Sequence, residues 1–127
     1  MGGRNDDRIE IFQRLKAALK KYEPPFEART ALDSRYELWS EKDLVIAGRK
    51  RKGVFFAGLI IQRSYVGFYY MPVYTHPAMR RVFKKELLAT LKGKSCFHIT
   101  ALDSILLRQI ELALKLGYGI YRKNKWV

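Results

Sequence analysis

The sequence holds one cysteine, Cys96, so no internal disulfide can form and a disulfide-stapled scaffold is excluded. No apolar run approaches the length needed to cross a bilayer, which excludes a membrane-spanning helix. The first residues, MGGRNDDRIE, lack the apolar core of a secretory signal, and Asp6 stands where myristoylation of Gly2 would want Ser or Thr. These absences predict a cytoplasmic protein that does not engage membranes. Acid is also scarce, but only in one part of the chain. Residues 1–47 carry nine Lys/Arg and nine Asp/Glu, whereas residues 48–127 carry sixteen Lys/Arg against Glu86, Asp103 and Glu111. The net charge of +13 therefore lies wholly after residue 47. Such asymmetry predicts a surface that meets anions.

With 127 residues, 48% apolar and 29% charged, the chain suits one globular domain with a real core. Ile9, Phe12, Leu15, Ala18, Leu19 and Tyr22 recur at helical spacing and predict an amphipathic helix over 6–22. Asn5 or Asp6 is placed to cap it, and Pro24-Pro25 to stop it. Strands are expected at 36–39, 44–47, 54–62 and 64–71, where β-branched and aromatic residues concentrate. The segment VFFAGLII is apolar at both parities, as in a central strand covered on both faces or one whose second face lines a pocket. Gly58 and Gly67 inside strands signal bulges or a close approach to the backbone. A helix is expected from Pro77 to about Leu91, then a strand over 95–100. A third helix should run from Asp103 or Ser104 to about Leu116 with Gly117 as its stop, and 118–121 should return as a strand. This order predicts an α+β fold: about five antiparallel strands packed with three helices.

From Tyr36 onward several short motifs carry a family likeness. Gly67-Phe68-Tyr69-Tyr70-Met71-Pro72-Val73-Tyr74 reads as a strand entering a proline-containing turn, a helix with Phe83 and Leu87 follows, then Gly93-Lys94-Ser95-Cys96-Phe97 and a closing helix from Asp103. In these features the chain resembles the YdhG-like family of bacterial domains of unknown function. The resemblance implies a compact intracellular α+β domain without a defined chemistry. Some members of that family are described as frataxin-like iron chaperones, which use an acidic ridge on the first helix. Here Asp6, Asp7 and Glu10 stand at that place with Arg4, Arg8 and Arg14 among them, a departure from the ridge.

Two cationic clusters stand out. Arg49, Lys50, Arg51 and Lys52 lie between Gly48 and Gly53, which reads as a hairpin connection. Arg80, Arg81, Lys84 and Lys85 lie in the first half of the helix from Pro77, where its dipole disfavours cations. Lys94 adds a further cation. Gly93-Lys94-Ser95 is not a phosphate loop, because Leu88 occupies the required glycine position and a strand follows where a helix should. With neither a helix-turn-helix nor a zinc finger, the leading expectation is a non-enzymatic binding module for nucleic acid or another phosphate-bearing ligand. The second expectation is a small-ligand or iron carrier. Its pocket would be formed by Tyr65, Tyr69, Cys96 and His98, with Tyr65, Gly67, Tyr69 and Met71 on one strand face. Cys96 would serve as a nucleophile only if Lys94 or His98 lowered its pKa. No motif calls for a cofactor or resident metal, and the chain is expected to be a monomer or a homodimer paired through a strand edge.

Overall fold

In the computed structural model the backbone is described for residues 3–127, and side chains from residue 7 onward. The chain forms a six-stranded antiparallel sheet with four α-helices, an α+β fold. Helix α1 spans Gly3–Lys20; strands β1 (Glu27–Ala31), β2 (Arg35–Ile46), β3 (Arg49–Ile61) and β4 (Val66–Tyr70) follow. Next come a short α2 (Met71–Thr75), a 3-10 turn (Pro77–Arg81) and α3 (Lys85–Leu88). The chain closes with β5 (Leu91–Lys92), β6 (Cys96–Ile99) and α4 (Ser104–Lys123). Across the sheet the order is β1-β2-β3-β4-β6-β5.

Both long helices cover one face. Phe12, Leu15 and Leu19 of α1 and Ile110, Leu114 and Tyr121 of α4 are buried in one core with Leu38, Phe56, Leu59, Phe68 and Phe97 of the sheet. Phe26 and Phe56 stack at 4.2 Å and 5° between planes. Two buried tyrosines fasten α4 to the strands: Tyr70 donates to the Ala113 carbonyl and Tyr121 to the Phe55 carbonyl. Buried hydroxyls need such partners. Arg8 donates to the carbonyls of Gln62 and Arg63, and Arg14 to that of Leu102, tying α1 to two loops.

Several expectations need correction. Ile9 is exposed, and Ile11 is buried in its stead. Steps of three residues drift round a helix, so Ile9 lies about 120° from Leu15. The capping expected of Asn5 or Asp6 concerns side chains outside the described ones. The helix expected over 77–91 is broken into a 3-10 turn and a four-residue helix, with Lys84 extended between them. A continuous helix there would run about 22 Å, whereas Leu91 and Lys92 are claimed by the sheet, pairing with Phe97 and Cys96. Helix α4 runs through Gly117 to Lys123, so 118–121 is helix and not strand. A Cβ at Gly117 would lie 2.5 Å from the Tyr70 hydroxyl and 2.8 Å from Pro72 Cγ. That glycine serves close packing, not termination. Asp103 caps α4 as expected, its Oδ1 accepting from the Leu106 N–H at 2.8 Å. Among the described residues no helix is long and apolar enough to cross a membrane.

Candidate polyanion site and sheet groove

Arg49–Lys52 do not form the hairpin loop that their sequence position suggests. The turn is the two residues Ala47 and Gly48, both at positive φ (52° and 79°), the pattern of a tight turn matched to strand twist. The four cations instead continue β3, pairing with Ile46, Val45, Leu44 and Asp43 of β2. Beyond Asp43 and Lys52 neither strand has an outer neighbour among the described residues, because β1 pairs no further along β2 than Trp39 and β4 ends opposite Ala57. The result is a two-stranded arm projecting from one end of the sheet. Opposed residues share a side, so Arg49 and Arg51 point one way and Lys50 and Lys52 the other. All four are exposed, and among the described residues none is in an ion pair.

Strand register brings further cations to the same end. Strand β6 starts at Cys96 opposite Tyr69, and β5 ends at Lys92 opposite Cys96. The β5–β6 turn therefore lies at the end where β4 exits and the arm begins. Arg80 donates to the Gly93 carbonyl at 3.2 Å, which holds it over that turn. The Lys94 ammonium sits 6.0 Å from the Tyr74 ring centre. Arg81 and Lys85 are exposed. Lys84 departs from this group: it lines a separate apolar groove with Leu87, Ile105, Arg108 and Leu112, between α3 and α4. The expected basic helix is thus divided, with Arg80 at the arm end of the sheet and Lys84 against α4. Because no continuous helix begins at Pro77, these cations do not stand against the dipole of a long helix.

The sheet face away from α1 and α4 carries the second candidate. A groove of about 520 Å³ is lined by Trp39, Phe55, Gly58, Ile60, Tyr69 and Met71, with Arg35, Glu37, Leu59 and Ser95. A bulge creates it. Leu38 pairs with Ala57 but Trp39 with Phe55, so Phe56 is the extra residue of β3 and turns into the core while Phe55 joins Trp39 outside. Their rings lie 5.4 Å apart at 60°. Gly58 supplies the floor, where a Cβ would meet the Phe55 ring and Glu37 Cγ at 3.2 Å. Gly67 lies under the Tyr69 ring, the close approach its strand position suggested.

The residues expected to form a pocket share this face but do not all share the groove. Tyr69 lines it. Tyr65 stacks on His98 at 3.8 Å and 11°, a closed pair beside the groove. Cys96 pairs with Tyr69 in register and is half-buried. Burial pushes its thiol pKa up, offset in part by the hydrogen bond with Tyr69, so the condition set for a nucleophilic role, a lowering by Lys94 or His98, is not met. Burial likewise raises Tyr69, which accepts from the Gln62 amide at 3.1 Å. Among the described residues no group of three or more His, Cys, Asp or Glu is placed to hold a metal ion. Asp6, one of the three acids considered for iron, has its side chain outside the described residues.

Sequence reading missed Trp39, Phe55 and the charged pairs around them. Arg29 of β1 lies 4.1 Å over the Trp39 ring and bonds Glu41 at 2.7 Å. Its Nη2 also donates to the Lys52 carbonyl at 2.7 Å. Arg35 bonds Glu37 at 2.8 Å. The Arg29 guanidinium holds the Glu41 carboxyl below its ordinary range, and the same bond raises Arg29. The only advance signal was the two-faced apolarity of β3. Comparison with family models, curated proteins and solved structures finds no match to this chain.

Proposed function

We propose that the protein is a non-enzymatic binding module for a polyanion, engaged through the basic end of the sheet. The observation that carries this reading is the β2–β3 arm. Four cations stand on a two-stranded projection with no ion-pair partner among the described residues. Such crowding costs free energy through mutual repulsion, and phosphates relieve it. Lys92, Lys94 and Arg80 extend the cationic end at the β5–β6 turn. The splayed arrangement, with two cations on each side of the arm, fits a ligand with many phosphates better than one compact anion. Burial raises the pKa of the Cys96 thiol, which disfavours a thiolate nucleophile there.

Replacing Lys50 and Arg51 by Gln is the test, with Arg63, in the β3–β4 loop at the opposite end of the sheet, and Arg108, near the start of α4, replaced as a charge-matched control. Polyphosphate or oligonucleotide affinity should fall with the arm variant and hold with the control. Equal losses in both variants would reduce the effect to net charge and remove the arm from the account.

A second reading, a carrier for a small neutral or anionic ligand, is favoured by the groove on the open sheet face. Its lining residues are Trp39, Phe55 and Tyr69, and the site does not use Cys96 or His98. Thermal stabilisation by a small-metabolite panel, in the absence of polyanions, would support it.

A further inference from the structure

We propose that the groove on the open sheet face is a base-stacking site, and that the polyanion is single-stranded nucleic acid. This rests on the polyanion reading and adds the part of the ligand that is not phosphate. Trp39, Phe55 and Tyr69 offer ring surface around a floor where Gly58 has no side chain. The space, about 520 Å³, is shallow and open to one side, as planar rings require. Aromatic side chains on an uncovered sheet hold unstacked bases with little regard to sequence.

Charge divides the surface in a way that matches a nucleotide strand. Within and beside the groove each carboxylate has an arginine: Glu37 bonds Arg35 and Glu41 bonds Arg29. The groove is therefore close to neutral, hospitable to a base and no special attraction for a phosphate. The unpaired cations begin where the groove ends. Arg29 touches both regions, stacking on Trp39 while donating to the Lys52 carbonyl at the root of the arm. At the same end Ser95 lines the groove and its neighbour Lys94 is exposed. A strand with bases over Trp39 would thus carry its phosphates toward Arg49–Lys52. A duplex keeps its bases stacked inside and cannot satisfy the groove.

Trp126 is the only other tryptophan, and it packs against Tyr121 away from the groove. Trp126→Phe therefore leaves Trp39 as the sole reporter. Three probes are titrated into this variant: a thymidine decanucleotide, a duplex of equal length, and inorganic polyphosphate. The decanucleotide should quench Trp39 emission at saturation, and polyphosphate should bind without quenching. In a second variant, Trp39→Ala, decanucleotide affinity should fall about tenfold or more while polyphosphate affinity and the salt slope hold. Binding of all three probes with no change in Trp39 emission would overturn the stacking site and leave the polyanion reading intact. Binding of none would remove both. Tighter binding of duplex than of single strand would also overturn it.

Discussion

Gly53→Ala probes the joint between arm and groove. Gly53 sits at φ +95°, outside the comfortable range of an L-residue, and an added Cβ would stand 2.4 Å from Arg29 Nη2 and 2.6 Å from the Ser40 carbonyl oxygen. The backbone strain costs about 1–2 kcal/mol. The carbonyl belongs to the paired strand and cannot swing aside, so overpacking adds about 1–3 kcal/mol. The sum, about 2–5 kcal/mol, is a large share of a stability of about 5–15 kcal/mol. Gly48→Ala is the internal control. It has a similarly positive φ, +79°, but nothing within 4 Å of the added atom, so it should show the backbone part alone. Urea unfolding of both variants measures the two costs, with an unchanged slope confirming that the midpoint shift reflects stability. Gly53→Ala should exceed Gly48→Ala by at least about 1 kcal/mol. Equal costs would refute the claim that β2, β3 and Arg29 are in contact at this point.

Two further outcomes follow from the core. Gly117→Ala sets a helix-propensity gain of about 1 kcal/mol against intrusion on Tyr70 and Pro72. Because the Tyr70 hydroxyl is fixed by its bond to the Ala113 carbonyl, the intrusion should win, giving net destabilisation by thermal or urea unfolding. A stabilised variant would show that α4 packs less closely than described. The buried phenols of Tyr36, Tyr70 and Tyr121 have pKa values raised by burial, Tyr36 also by its bond to Glu23. Their folded pKa values lie above the unfolded value, so their stabilisation is complete below about pH 10 and is lost as pH rises beyond it. Unfolding free energy should fall above pH 10 by about 1.4 kcal/mol per pH unit for each such tyrosine. Tyr70→Phe should make that decline shallower; an unaltered decline would mean that Tyr70 ionises in the folded protein.

How far the sequence foretold this structure depended on where local signals and tertiary contacts agreed. The α+β class, α1, the central strand β3 and the Asp103 cap were legible because periodicity and capping chemistry act locally. Gly117 misled, since a glycine needed for close packing looks the same in sequence as a helix stop. Segment 77–91 misled because helical spacing in Met79, Phe83 and Leu87 is satisfied by a broken path whose end is drawn into the sheet edge. Strand β1 was missed because it is an edge strand of EARTA, with no apolar run. The candidate site was legible in its charges and not in its geometry. Arg49–Lys52 were visible as a run, but their place on an unflanked arm depends on the register of β2. Trp39 and Phe55 were hidden because one bulged residue decides which of Phe55 and Phe56 faces outward.

The most direct test of the central claim is the affinity of the wild-type protein for a single-stranded oligonucleotide across a salt series. If the four arm cations meet phosphates, they alone contribute a slope of about −3 in log affinity against log salt. Raising salt from about 50 to 200 mM should then weaken binding about 50-fold or more. A slope near zero, or weak non-saturating binding at the lowest salt, would contradict the account and leave the arm a solvated projection.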